Sequence, residues 1–444
     1  MAPSHTTADM SLYRRHTLTP LGIGLVAVAL ADRIAFFSVT GAILVLVATA
    51  VLALAATAPD PRGDDHIAYP VLLVGLAAMT ALTAQLPKPG DPVVVLLTIS
   101  GAIAFYVCTI VPGLRRYRLY LAGALLIAAH AVIVLRIPVP PHQDVWRFLN
   151  FGVDALFKGQ NPYTDYLGPD GQAIRLTYPP AVILLLAPFR VLLGDIRWGY
   201  IACEAILVVL LPRLVRRAGG SLARWQEALI LIPLVLPRSA QAFFVFSNQD
   251  WVLLTLAAGA LVLAFDSRSF WSGLLVGLGI ASKQYFVVFP VLYLLPTLRR
   301  RAVVIAVVVA LAIILPFVAW GPGAFVDHVF GNLAGAPDPD RLTIWAMIAH
   351  AGLHPGRAVS VVLALAGGLV ALMLAWAGRY SLSNSLMSCG LGLFALTLGA
   401  SFAGYNYYVY GLVFITWGVL LPSPTEDAAP LAAGHKPGET GRGR

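Results

Sequence analysis

Residues 138–189 read PVPPHQDVWRFLNFGVDALFKGQNPYTDYLGPDGQAIRLTYPPAVILLLAPF, and their contrast with the rest of the chain decides the architecture. From Pro138 to Leu176 the segment is polar, mixing acids, bases, aromatics, Gly and Pro, and apolar runs flank it on both sides. Elsewhere the sequence is close to hydrocarbon: 59% of its 444 residues are hydrophobic, 11% are charged, and the mean hydropathy is +0.81. Soluble domains carry about 25% charged residues. The deficit, with many long apolar runs, predicts an all-α polytopic membrane protein of about 11–14 transmembrane helices. A transmembrane barrel would need short segments of alternating polarity, and these are absent. A long polar loop between spans is where function concentrates.

Working outward, basic clusters set the expected sidedness, because short loops rich in Lys and Arg stay cytoplasmic. Arg14 and Arg15 precede four apolar runs, and Arg115, Arg116 and Arg118 follow them, so the next span carries 138–176 to the outside. The first run starts near Pro20, has no small-residue cleavage site, and reads as a retained span. Asp32 and Arg33 within it read as a hairpin corner or an internal pair. Arg213, Arg216, Arg217 and Arg224, then Arg299–Arg301, mark further cytoplasmic turns. An odd number of crossings must therefore follow the outer loop. This makes 177–194, broken by Pro179, Pro180 and Pro188, a re-entrant or interfacial helix. Residues 270–282 and 284–298 read as a broken pair, and 321–340 as a second outer loop. The expected organisation is a cytoplasmic tail over 1–18, one membrane domain over 19–421, and a disordered cytoplasmic tail over 422–444.

The formal net charge of +9 falls in short clusters between spans, so it serves topology and not nucleic-acid binding. The cysteines, Cys108, Cys203 and Cys389, lie in apolar runs without CxxC spacing, which suggests neither a metal site nor a disulfide framework. No Walker A motif or Gly-rich loop after a strand is present, and no carboxylate cluster has metal-ligand spacing, so no cofactor or metal is expected.

The assigned sidedness gathers polar residues at one face. Asp144 lies in the first outer loop, and Asn248, Gln249 and Asp250 at an outer junction of two spans. Lys283 and Gln284 form the corner of the broken pair; His328 and Asn332 lie in the second loop; Tyr405, Asn406, Tyr407 and Tyr408 begin the last span. Ionisable groups at membrane depth are costly, so their convergence points to a shared water-accessible pocket. Asp154, Asp165 and Asp170 read as ordinary loop acids, and His130 and Glu204 as a pair inside the bundle. In VWRFLNFGVDALFKG, apolar Val145, Phe148, Leu149, Gly152, Val153, Leu156 and Phe157 share one helical face. This predicts an amphipathic helix on the outer leaflet with Asp144 at its N-terminal end.

These motifs together resemble the GT-C superfamily, and within it the polyprenol-phosphate-mannose-dependent α-mannosyltransferases of glycosyltransferase family 87. The likeness is carried by Asp144-Val145-Trp146-Arg147, Gly159-Gln160-Asn161-Pro162-Tyr163, Tyr178-Pro179-Pro180 with Pro188, Ser247-Asn248-Gln249-Asp250, Ser282-Lys283-Gln284 and His328. It covers about residues 115–415. The family's Trp-x-His-His near the last spans is replaced here by Gly404-Tyr405-Asn406-Tyr407-Tyr408. The resemblance implies a polyprenyl-phosphate sugar donor, most simply mannose, and a glycolipid or lipoglycan acceptor, with membrane lipids around both. It implies Asp144 as general base in an inverting transfer, and Lys283, with His328 or an arginine, as partner of the leaving phosphate. Arg147, Asn161, Tyr163, Tyr178, Asn248, Gln249, Asp250, Gln284, Asn406 and Tyr407 would line the substrate site. A flippase of lipid-linked sugars would share such a pocket, but should show an internal repeat of broken helices, and none is evident. A non-catalytic assembly subunit on the same fold is the third reading.

Overall fold

The computed structural model describes residues 14–32, 38–57, 68–83, 91–136, 144–167, 173–236, 244, 250–284, 298–331, 341–353, 356–378, 381–400 and 406–421. Arg33, the turn 58–67, Asp170, Asn248, Gln249, Asn332, Tyr405 and the tail from 422 lie outside the described residues, as do the side chains of Asp32, Asp144 and Asn406.

The fold is all-α, as the composition requires; a two-residue antiparallel pair is its one β feature among the described residues. The N-terminal part holds α1 (Arg14–Asp32), α2 (Val39–Thr57), α3 (Ala68–Thr83), α4 (Pro92–Ile110) and α5 (Arg118–Arg136). The loop region holds α6 (Asp144–Phe157), β1 (Tyr166–Leu167), β2 (Ala173–Ile174) and α7 (Ala181–Leu193). Next come α8 (Arg197–Arg217), α9 (Arg224–Val235), α10 (Asp250–Phe265), α11 (Ser269–Ile280) and α12 (Arg300–Trp320). The chain continues with α13 (Pro322–Phe330), α14 (Ile344–His350), α15 (Arg357–Gly378), α16 (Leu382–Gly399) and α17 (Asn406–Leu420). Six helical segments among the described residues are long and apolar enough to cross a membrane, and seven more are apolar but shorter.

Local chemistry explains the element ends. The Asp91 carboxylate accepts from the Val93 N–H and Pro92 occupies the first turn, so α4 begins there. A 3₁₀ turn, Pro112–Tyr117, reverses the chain into α5 and exposes Arg115 and Arg116. At the far ends of this hairpin Arg136 meets Asp91 at 3.2 Å. Helix α7 has 13 residues, about 20 Å at 1.5 Å per residue. It falls short of a hydrocarbon core about 30 Å thick, and Gly194 ends it in the left-handed conformation at φ 77°.

Charged landmarks sort to two ends of the bundle. At one end stand Arg118 with Glu227 at 2.6 Å, Arg217 with Asp266 at 2.9 Å, and Arg299 with Ser267 at 3.0 Å. We refer to this as the arginine end. The other, the loop end, receives α6, the β pair and the starts of α10 and α17. Between them, among the described residues, one ionisable pair lies deep in the bundle: the His130 Nδ1 is 2.8 Å from Glu204 on α8. Cys108 and Cys389 are buried and Cys203 half-buried, all as free thiols.

The apolar stripe of α6 departs from the sequence-based expectation. Its Val145, Leu149 and Val153 are buried by protein, while Phe157 at its C-terminal end stays exposed. A Cβ at Gly152 would lie 3.1 Å from Ile183 of α7 and 3.3 Å from Leu176. Arg147, which is not part of that stripe, is buried as well. Period alone marks an apolar face; the neighbour that covers it is set by tertiary structure.

Helices α11 and α12 touch through glycines. A Cβ at Gly277 would sit 2.6 Å from the Ala306 carbonyl and 2.7 Å from the Val309 Cβ, and one at Gly273 would strike the Ala302 carbonyl. Small residues at four-residue spacing allow this approach, as in membrane helix pairs generally. Replacing Gly277 with Leu should cost about 1–3 kcal/mol by overpacking and lower the thermal unfolding midpoint of the detergent-solubilised chain. Gly323→Ala, into open space, should leave the midpoint unchanged. Equal midpoints for both variants would rule out the close α11–α12 contact.

Candidate active site

The site is built on Lys283, which follows the last turn of α11 in the sequence GIASKQ. Its Nζ donates to the Asp250 Oδ1 at 2.7 Å, and the two side chains are 2% and 0% exposed. An ammonium so desolvated requires a counter-charge, and the first residue of α10 supplies it. The Tyr178 and Tyr407 rings stand 5.7 and 5.4 Å from Nζ, within cation–π reach. The lysine is enclosed by protein.

Gln284 acts as a clasp. Its amide nitrogen donates to the carbonyls of Thr177 and Val329, both at 2.6 Å, and ties the end of the polar loop to the end of α13. A third tie joins the Ala181 N–H to the Ala281 carbonyl at 2.8 Å. The segment Asn161-Pro162-Tyr163 has a structural cause. The Asn161 Oδ1 accepts from the Tyr163 N–H at 2.9 Å, closing a local turn. That turn drives Tyr163 into the core, where its hydroxyl donates to the Tyr178 carbonyl at 2.9 Å. Its ring meets Phe325 edge-on at 4.8 Å. Burial lifts the Tyr163 phenol well above its ordinary range, so it stays protonated.

His328, 3% exposed, has its Nε2 3.1 Å from Asp165. Arg175, across the β pair, reaches Asp165 at 3.1 Å and Asp327 at 3.4 Å. Burial pulls His328 below the ordinary imidazole range, and Asp165 pulls it back in part. A neutral imidazole that donates from Nε2 leaves Nδ1 as an acceptor, and Nδ1 has no hydrogen-bond partner among the described residues. Asp165 reads as a plain loop acid in the sequence; only the hairpin and α13 bring it to the histidine. Arg175, ten residues on and basic, was the one available signal.

Of the residues singled out in the sequence, the fold therefore gathers Asn161, Tyr163, Tyr178, Asp250, Lys283, Gln284, His328 and Tyr407 at the loop end. Tyr408 is turned into the core and donates to the Leu342 carbonyl. Asp144 is the first residue of α6. Two residues on, the Trp146 Nε1 donates to Asp195 at 3.3 Å, and Asp195 grips Arg197 at 2.8 Å. That pair fixes the first turn of α6 against the start of α8. Among the described residues no group of three or more His, Cys, Asp or Glu is placed to hold a metal ion.

A helical, multi-pass bundle with a polar, aromatic-walled cluster at one end defines a membrane protein. The chain belongs to glycosyltransferase family 87, whose model matches residues 176–401, half of the chain. That stretch contains Tyr178, Asp250, Lys283, Gln284 and His328, and leaves Asp144, Arg147, Asn161 and Tyr163 before it. The chain is also 32% identical over 158 residues to an alpha-(1->3)-arabinofuranosyltransferase of Corynebacterium glutamicum. The matching region is 33% of this chain and 36% of that relative, so the chain spans about a third of the curated relative's length.

Two measurements test the site. Lys283→Met strips the counter-charge from buried Asp250 and should destabilise the chain by about 3–5 kcal/mol, whereas Asp250→Leu/Lys283→Met should recover most of that loss. Additive losses in thermal unfolding would mean that the pair is not coupled. For His328, the folded-state value lies below the ordinary one, so its share of stability is complete above about pH 6.5 and is lost as pH falls below it. The wild-type midpoint should drop further than that of His328→Gln between pH 7.5 and 5; parallel pH profiles would contradict a desolvated imidazole.

Proposed function

We propose that this protein is an integral membrane glycosyltransferase that moves a sugar from a polyprenyl-phosphate donor to a glycolipid or lipoglycan acceptor. The active site is the loop end, facing the outside of the bacterial cell membrane. Membership of family 87 carries this reading, and the enclosed Lys283–Asp250 pair beneath the loop supports it. A flippase is disfavoured because the sequence shows no internal repeat of broken helices.

In the proposed reaction the acceptor hydroxyl oxygen attacks the anomeric carbon as the bond from that carbon to the phosphate oxygen breaks. The hydroxyl proton passes to the Asp144 carboxylate, the polyprenyl phosphate leaves as an anion, and the anomeric configuration inverts. A carboxylate suits a base that must meet a hydroxyl within hydrogen-bond reach. Placement on the first residue of α6, with that helix clamped through Trp146 and Asp195, gives it a rigid mount. Because Asp250 already engages Lys283, the lysine's part is to hold the Tyr178 and Tyr407 walls in place. The unengaged Nδ1 of His328 stands among the groups positioned to meet a substrate polar atom.

The resemblance carried by the first loop favours mannose. The arabinofuranosyl relative and the missing Trp-x-His-His favour a second reading, an arabinofuranosyl donor on the same carrier. Membranes containing the chain, supplied with polyprenyl-phosphate mannose or polyprenyl-phosphate arabinofuranose, distinguish these. Asp144→Asn should reduce transfer from the accepted donor by roughly 10²–10⁴-fold, the usual contribution of a positioned base, while donor binding persists. Wild-type transfer by that variant would remove Asp144 as the base, and transfer from neither donor by the wild type would remove the carrier assignment.

A further inference from the structure

A second feature lies at the arginine end, away from the cluster just described. Helices α8, α10 and α11 leave between them a groove of about 750 Å³. Its walls are apolar, with Leu210, Val262 and Leu275 among them, and its one wall hydroxyl, Thr255, is spent on the Trp251 carbonyl at 2.8 Å. Its rim carries Arg213, Arg216, Arg217 and Arg268 against a single acid, Asp266. Arg217 and Asp266 neutralise each other at 2.9 Å. Arg213, Arg216 and Arg268 are exposed, and among the described residues none of the three makes an ion pair. Three uncompensated guanidinium groups thus converge on the mouth of a hydrocarbon-lined slot.

A bias of arginines toward one membrane face accounts for basic residues near helix ends. It does not account for their convergence on an open apolar groove; charge complementarity does. A guanidinium offers paired N–H donors that fit phosphate oxygens, and basic pockets between spans bind anionic headgroups. Helix α10 fixes the location. It begins at Asp250 in the candidate active site, and Asp266 follows its last residue. Sixteen residues of helix put about 24 Å between the two, most of the thickness of a hydrocarbon core. The groove therefore opens toward the opposite membrane face from Lys283.

We infer that the groove is a binding site for an anionic phospholipid of the bilayer leaflet at the arginine end. The phosphate is held by Arg213, Arg216 and Arg268, and an acyl chain lies along α8 and α10. This rests on the membrane-spanning fold and not on the proposed reaction, and its test reads lipid binding, not sugar transfer.

The test is native mass spectrometry of the full chain, purified in mild detergent, delipidated, and offered equal phosphatidylglycerol and phosphatidylcholine. Phosphatidylglycerol should be retained over phosphatidylcholine by roughly tenfold or more, given about three arginines at the headgroup. Arg213→Gln/Arg216→Gln/Arg268→Gln should abolish that preference. Arg115→Gln/Arg116→Gln, which removes arginines outside the groove, should keep it. Equal retention of the two lipids by the wild type overturns the inference without any variant. Equal loss of preference in both variants overturns it too, since surface charge would then suffice. A third arm adds a polyprenyl phosphate; its displacement of phosphatidylglycerol at equal concentration would assign the groove to the carrier and overturn the phospholipid assignment.

Discussion

The Lys283 ammonium and the Asp250 carboxylate meet at 2.7 Å in a space closed to solvent. Neither charge is tolerable there alone, because burying a unit charge costs several kcal/mol after relaxation. Their mutual need forces the first residue of α10 against the residue that ends the α11 corner. The aromatic faces that complete the enclosure come from farther away, Tyr178 from the end of the polar loop and Tyr407 from the first turn of α17. The next residue, Gln284, spends its amide on the loop and on α13. Two consecutive side chains thus set the relative positions of four chain segments, and the loop end is shaped by electrostatic necessity as much as by apolar packing.

This bears on what the chain displays before it is folded. Lys283 stood out in the sequence as the corner of the broken pair; its place was legible and its partner was not. Asp250 and Lys283 are 33 residues apart, and only the return of α11 alongside α10 joins them. The assigned sidedness could place both at one face, since that argument needs only arginine clusters and span counts. Asp165 was passed over for the converse reason: a lone acid among Gly, Pro and Tyr carries no mark of a histidine 163 residues on. The amphipathic stripe of α6 was legible as a stripe. That protein covers its Val145, Leu149 and Val153 goes with the small side of Gly152 meeting Ile183 and Leu176, contacts that no periodicity contains. Asn161-Pro162-Tyr163 was legible as a motif, but its physical work is a side-chain turn that buries a tyrosine.

The interior between the two ends obeys a stricter rule. Polar groups at mid-bundle must satisfy one another, since insertion scales charge about 2.5–3.5 kcal/mol for an ionisable side chain there. His130 and Glu204 do so, at 2.8 Å, with the Phe244 ring 4.8 Å from the imidazole. Around them Ala, Val, Leu and Gly let helices approach closely. Every other ionisable cluster among the described residues lies at one end or the other, and helices about 20–30 Å long keep those ends apart. Helix α10 illustrates the outcome in one element: an acid that neutralises a lysine at its start, an apolar middle, and an acid that neutralises an arginine just past its end. On the proposed assignments, the donor at the loop end and the phospholipid at the arginine end reach the protein from different leaflets.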